Sequence, residues 1–296
     1  MRILVTGSSG FIGRRLVEAL SLEGHELVLL AHHNAPSGSH RIIHSFQELL
    51  DSDPELDAVI NLAGAPILDM PWTEGRKQAL WESRVLLTQR LVGTLSKLKT
   101  TPKILLSGSA IGVYGDHDAT RLSEEAKTHG GFGHQLCHAW EQAALAAEAL
   151  GIRTCLLRTG LVVGPKGGFL APMARTFGWG LGGPISNGRQ WMSWIHIDDH
   201  IRLMCHLLAS EKSAGVYNLT APNPVTNAEF TRTLAGVIGK PAFFRVPAWL
   251  LKAIGGERMT LLLESQRVVP EKALDEGFTF TFPDLEPALK AALGRD

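Results

Sequence analysis

Cysteine is scarce in this chain: three in 296 residues, Cys137, Cys155 and Cys205, widely spaced and without a C-x-x-C pair. An odd number at such spacing argues against a disulfide framework and reads as reduced thiols in a cytosol. An excess of one charge is lacking as well, since 29 basic residues balance 29 acidic ones. No basic field is left to hold a phosphate backbone, so nucleic acid is not an expected partner. No apolar run approaches the ~20 residues of a membrane span. No charged-then-apolar leader precedes MRILVTGSSG, which already reads as a strand and its turn. The expectation is a soluble cytoplasmic protein with no membrane partner. Tyrosine occurs only twice, at Tyr114 and Tyr217, which limits the phenols available for acid–base work.

What is present alternates apolar strand runs with helical periods, the pattern of a parallel sheet covered by helices. Strands are expected at Arg2–Thr6, Glu26–Leu30, Asp57–Leu62, Lys103–Leu106, Arg153–Leu157 and Gly215–Thr220. Helical spacing of Leu80, Leu87, Leu91, Leu95 and Leu98 predicts one long helix over about 73–98. A further helix begins near Phe132 and continues through the alanine-rich Trp140–Leu150. Beyond Gly160, glycines and prolines crowd a short span, which marks loops rather than a continuing βαβ rhythm. The fold class expected is α/β: a Rossmann-type, doubly wound parallel sheet with a smaller carboxy-terminal, substrate-side lobe. Residues 1–163 would form the dinucleotide-binding domain, with 196–220 returning to it. Residues 164–296 would form the lobe.

The first strand runs into Gly7-Ser8-Ser9-Gly10-Phe11-Ile12-Gly13 and directly into helix. This G-x-x-G-x-x-G variant has the flanking strand and helix that a dinucleotide turn requires. One glycine turns the chain, one admits the pyrophosphate and one packs helix on strand. The helix start offers free N–H groups and the positive end of a dipole to phosphate. NAD-specific sites place an acid about twenty residues on, where it accepts from the ribose 2′-OH. Here the second strand ends in Ala31-His32-His33-Asn34, with no acid until Glu48. A carboxylate would repel a 2′-phosphate whereas an imidazole can donate to it. NADP is the expected cofactor.

Several segments together resemble the extended short-chain dehydrogenase/reductase superfamily: TGSSGFIG, NLAG at Asn61–Gly64, LLSGSAIGVYG at Leu105–Gly115 and WIHIDD at Trp194–Asp199. ALWESR at Ala79–Arg84, QLCHAWE at Gln135–Glu141 and GLGGPISNGRQWMSWIHIDD at Gly180–Asp199 resemble one atypical, epimerase-family (SDR39U-like) branch. The stretch Arg245–Phe280 is similar to that branch's small closing domain. The resemblance covers essentially the whole chain. It implies NADP contacts from Gly7, Gly10, Phe11, Ile12 and Gly13, and from Ala31 and His32 at the second-strand end, where the branch commonly has arginine at the His32 position. It also implies that Leu62, Ala63 and Gly64 line the adenosine and ribose side, that Arg84 reaches the cofactor, and that Val162 lies near the nicotinamide.

The superfamily's usual chemistry is missing. Its tyrosine exchanges a proton while a nearby lysine lowers the phenol's pKa. Matching on Trp140-Glu141 puts Gly133 in the tyrosine slot and Cys137 in the lysine slot. Arg84 replaces the asparagine that usually supports the proton relay. Ser109 matches the substrate-binding serine, so Ser109 and Cys137 are the candidate catalytic residues. Cys137 is expected to be a reduced thiol activated by a helix amino-terminus and more reactive than Cys155 or Cys205. Tyr114 either donates a proton or packs its loop. His134 either substitutes for the tyrosine or sits at the surface.

His134/His138 and His196/His200 have metal-ligand spacing, but neither pair carries the companion glutamate, and no metal is expected. Asp198 and Asp199 are expected to cap the following helix. Trp179, Trp191 and Trp194 either floor a substrate cleft or fill the lobe's interior. Two functions stay open: an NADP-dependent oxidoreductase or epimerase acting on a small carbonyl or sugar-like substrate, and a non-catalytic NADP-binding sensor or scaffold.

Overall fold

The structure is a computed structural model that describes residues 1–31, 38 and 40–295. Seven strands build the central sheet: β1 (Arg2–Thr6), β2 (Glu26–Leu30), β3 (Arg41–Ile43), β4 (Ala58–Asn61), β5 (Ile104–Ala110), β6 (Arg153–Thr159) and β7 (Gly215–Leu219). Their order is β3-β2-β1-β4-β5-β6-β7 and every neighbouring pair is parallel. Strands this apolar are buried on both faces, as a parallel sheet requires. On one face Ile3, Val5, Leu27 and Leu29 pack under helix α1 (Phe11–Leu22) and the helix Ile197–Ala209. On the other, Leu4, Val28 and Leu105 pack under Leu91 and Leu95 of the helix Leu87–Leu95. The strand order reverses between β1 and β4, which opens a crevice beyond their carboxyl ends, the usual ligand position in such sheets.

A second body of apolar packing lies beyond Val163. It joins Leu170 and Phe177 to Trp194, Phe230, Leu234 and Leu289. The segment from Thr260 to Val268 crosses back toward β5. There Arg267–Val268 pairs in parallel with Arg121–Leu122, and the Ser193 hydroxyl holds the strap by accepting from the Val268 amide at 2.8 Å.

Three elements differ from expectation. The long helix is divided into Glu74–Trp81, a π-turn at Glu82–Leu86 and Leu87–Leu95. Such π-turns often accompany functional sites, and this one carries Arg84. Strand β5 continues to Ala110, because Ser107, Gly108 and Ser109 are buried against β6 despite their polar look. A Cβ at Gly108 would lie 2.9 Å from the Trp140 ring, so that strand end needs glycine for the helix to seat. The edge strand β3 is three residues long, with two of the three exposed, and carries no apolar run to announce it.

Candidate functional site: a glycine-walled groove and an apolar pocket

The glycine turn is built by close backbone approach. Gly7 has φ +71°, and a Cβ there would lie 2.5 Å from the Leu62 carbonyl; one at Gly13 would lie 2.2 Å from the Gly7 carbonyl oxygen. Helix α1 starts at Gly10 with no side-chain cap and no acidic residue in its first turn, so its first N–H groups face outward unclaimed by side chains. Thr6 fixes the neighbouring strand end: its hydroxyl donates to Asn61 Oδ1 at 2.7 Å and accepts from the Ala63 amide at 3.2 Å. Asn61 in turn donates to Thr88 at 2.8 Å.

Beside them lies an open groove of about 940 Å³ lined by Thr6, Gly7, Gly10, Ala31, Leu62, Ala63 and Gly64; Gly13 packs behind it. Arg14, Arg90 and His44 also face it, and none of these three was singled out from sequence. The Arg14 guanidinium arches over the turn and donates to the Ser9 carbonyl at 2.8 Å. The His44 ring lies 2.9 Å from the Ala31 carbonyl oxygen. None of the three is one of the glycines of the turn, so the motif's spacing does not point to them. His32 falls outside the described residues. Phe11 and Ile12 turn their side chains from the groove. The Phe11 ring is packed by Gly164, Gly167 and Gly168, and Ile12 lies against the sheet's core.

Arg84 stands behind the Gly64–Ala65 backbone that lines the groove. Its guanidinium donates to the Ala65 carbonyl at 2.9 Å, packs against Gly64 and lies 5.4 Å from the Trp140 ring. Burial lowers its pKa from the ordinary value. The run Ala63–Pro66 lines the groove and the next residue, Ile67, lines a second cavity. That cavity, of about 190 Å³, is walled by Ile67, Ile111, Cys137, Leu161, Trp191 and Leu261, with Glu264 and Gln266 from the returning strap. Val162 itself points into the sheet's core and is 7% exposed, while its neighbour Leu161 faces the pocket.

Leu261 accounts for the slot at Gly133. Its Cδ2 would lie 3.2 Å from a Cβ placed there. A leucine from the carboxy-terminal segment therefore fills the space where the superfamily's tyrosine is expected.

Both candidate catalytic residues require correction. Ser109 does not face the pocket: it is 4% exposed and its hydroxyl donates to Glu141 Oε1 at 2.7 Å. Glu141 also accepts two hydrogen bonds from Arg158, at 2.8 and 2.9 Å. Arg158 donates further to the Tyr114 oxygen at 3.0 Å, and Tyr114 donates to Asn218 at 2.8 Å. Ser109 and Tyr114 thus belong to one buried structural network, and burial raises the Tyr114 pKa. Cys137 does line the pocket, yet its thiol is not activated. It stands in the second turn of the helix Phe132–Leu145, past the reach of the terminal dipole. Burial, reinforced by the Glu141 charge, pushes the thiol up to about 12, level with Cys205 and above Cys155.

His134 is held by the Val113 carbonyl at 2.7 Å and stacks on His138. The helix Ile197–Ala209 is capped by the His196 ring rather than by an aspartate; Asp199 instead accepts the amides of Thr281 and Phe282. The three tryptophans divide: Trp191 lines the pocket, Trp194 fills the interior and Trp179 is exposed. Among the described residues no cluster of three or more His, Cys, Asp or Glu side chains could hold a metal ion. No helix among them is long and apolar enough to cross a membrane.

The geometry can be set beside known proteins. Residues 3–220 match the family model described as the NAD dependent epimerase/dehydratase family, and residues 246–292 match a domain of unknown function, DUF1731. The epimerase family protein YfhF of Bacillus subtilis is 36% identical, over 98% of this chain and 97% of its own. The crystal structure of human epimerase family protein SDR39U1 (isoform 2), determined with NADPH, superposes with a TM-score of 0.92. It is 34% identical and covers 99% of each chain. A nucleoside-diphosphate sugar epimerase from Corynebacterium glutamicum superposes at 0.81 with 31% identity, over 99% of this chain and 58% of its own. The match to the family model spans residues 3–220, and the chain belongs to the NAD dependent epimerase/dehydratase family.

Proposed function

We propose that this protein is an NADP(H)-dependent oxidoreductase that acts on a small carbonyl compound without the tyrosine–lysine pair of its superfamily. The carrying observation is adjacency: a glycine-walled groove is lined along Ala63–Pro66, and the next residue, Ile67, lines an apolar pocket. The groove fits a dinucleotide on its own chemistry. A Cβ at Gly7 or Gly13 would collide with the backbone that shapes the turn, and the Ser8 hydroxyl is buried beside the turn without a hydrogen-bond partner. The cationic side chains along the groove, Arg14 and Arg90, favour a ligand with the extra 2′-phosphate, and Ala31 leaves no carboxylate at the strand end to repel it. The NADPH present with the human relative supports the same choice.

When bound, the cofactor supplies or accepts a hydride. The chain's own residues do the rest. The turn and the start of α1 hold phosphate, Arg84 braces the Gly64–Ala65 wall, and the apolar pocket excludes water from the reacting carbonyl. A second reading, a cofactor-binding sensor without turnover, draws support from Gly133 and Cys137 in the two catalytic slots and from the Leu261 side chain that fills the first.

Calorimetry with NADPH and NADH tests the cofactor assignment. NADPH should bind more tightly at pH 7, and equal or tighter NADH binding would overturn it. Arg84→Ala should weaken NADPH by about tenfold or more, since a hydrogen bond from a charged donor contributes about 1.5–3 kcal/mol. NADPH oxidation with a panel of aldehydes and ketones separates the two readings, and its absence throughout favours the sensor.

A further inference from the structure

The pocket beyond the groove has an unusual electrostatic make-up. Of its lining residues only Cys137 and Glu264 are ionisable, and no lysine or arginine is among them. The cations nearest the Cys137 wall are engaged elsewhere: Arg84 with the Ala65 carbonyl, and Arg158 with Glu141. Arg267, the residue after Gln266, lies over the Trp191 ring at 4.4 Å. The other charge bearing on Glu264 is the Asp116 carboxylate, which accepts the Ser265 amide at 3.2 Å and is itself negative. A nucleoside diphosphate brings two negative charges, and placing them against a carboxyl with no paired cation is strongly unfavourable. The volume, about 190 Å³, is also below the ~300–1,000 Å³ of sites that take drug-sized ligands.

Glu264 is held in place rather than left on a free loop. It ends the short helix Thr260–Leu263 in an extended conformation. The next residue is then clamped: the Ser265 hydroxyl accepts from the Trp191 amide at 3.0 Å, and the Ser265 carbonyl accepts from the His117 amide at 3.0 Å. The Gln266 amide nitrogen reaches Glu264 Oε2 at 3.5 Å, a long contact that leaves most of the carboxyl's hydrogen-bonding capacity for a ligand. The same strap carries Leu261 into the slot at Gly133. The segment that fills the missing tyrosine's space therefore also delivers a carboxyl to the same cavity.

We propose that the pocket takes a small, uncharged, mainly apolar carbonyl compound and that Glu264 exchanges a proton with its oxygen. This rests on the oxidoreductase reading above. Burial, reinforced by Asp116, pushes the Glu264 carboxyl up to about 7, so near neutrality it is available as a hydrogen-bond donor. In the reduction, the carbonyl carbon gains a hydride from the reduced dinucleotide and the C=O π bond opens. The oxygen takes the Glu264 proton, and the resulting carboxylate is reprotonated by water. Oxidation runs the same transfers backwards.

The test uses full-length protein, cyclohexanone and benzaldehyde as neutral probes, UDP-glucose as the anionic one, and the variants Glu264→Gln and Glu264→Ala. In ¹³C-carboxyl spectra of protein labelled at glutamate Cδ, one carboxyl should titrate near neutrality and vanish in Glu264→Gln. With NADPH, wild type should reduce at least one neutral probe, with activity falling as pH rises through that titration. Glu264→Gln should lose about 10²–10⁴-fold of turnover while changing probe affinity less than about threefold, because its amide still donates. Glu264→Ala should lose both. Saturable UDP-glucose binding that displaces cyclohexanone, a Glu264 carboxyl titrating in the ordinary range, or full activity in Glu264→Gln would each overturn the proposal. Reduction of neither neutral probe by NADPH-loaded wild type would overturn the substrate class. Failure of wild type to bind NADPH would instead defeat the dinucleotide reading, and this role with it.

Discussion

The groove and the pocket meet at Pro66-Ile67 but are made in different ways. The groove is centred on a backbone device: Gly7, Gly10 and Gly13 and one helix end form its turn within a dozen consecutive residues, and the Leu62–Pro66 backbone closes against it. The pocket is a side-chain device assembled from distant parts of the sequence, with Ile67, Cys137, Trp191 and Leu261 meeting across nearly two hundred residues. Backbone sites tolerate almost no substitution at a few positions and are indifferent elsewhere. Side-chain sites can exchange their chemistry while the scaffold stands, and here a leucine fills a tyrosine's place.

The strongest way to separate the two is to strike the network under the pocket. Glu141→Ala leaves Arg158 buried without its carboxylate, and breaking such a pair typically destabilises by about 3–5 kcal/mol. Urea unfolding should register that loss. A loss under 1 kcal/mol would mean the Ser109–Glu141–Arg158 cluster does not hold β5 to β6. In the groove, Gly13→Ala forces a Cβ into the Gly7 carbonyl, an overpacking that commonly destabilises by about 1–3 kcal/mol. It should weaken NADPH by more than about tenfold and leave cyclohexanone binding to the pocket untouched. Equal losses at both sites would show that they are not independent. The smallest effect concerns the thiols. Alkylation followed by mass spectrometry should label Cys137 no faster than the partly exposed Cys205, in keeping with its raised pKa, and faster labelling would restore it as an activated thiol.

The same contrast explains what was legible in the sequence. The glycine turn and strands β1 and β2 are local statements, in which φ, apolar run and spacing all sit within one window, and they stand where expected. Leu62, Ala63 and Gly64 line the groove. The π-turn that carries Arg84 was not legible, because leucine spacing alone cannot distinguish a continuous helix from one with a single widened turn. Ser109 was misread because matching a serine to a family position says nothing of what lies across from it, and here that is Glu141. Cys137 was misread because nearness to a helix start was weighed without the burial that outweighs it. Glu264 had no signal at all: a glutamate in LLLESQ acquires meaning only when the strap folds it beside Asp116 and into the cavity that Gly133 and Leu261 also line.

The central claim is that groove and pocket form one path, with the dinucleotide's reacting end at their junction. A crystal structure of the NADPH complex tests it most directly. The account predicts the pyrophosphate against Gly10–Gly13, the 2′-phosphate within reach of Arg14 or Arg90, and the nicotinamide ring at the pocket mouth beside Ile67 and Leu161. A nicotinamide ring turned to solvent, or a pocket closed off from it by the Leu261 strap, would contradict the account.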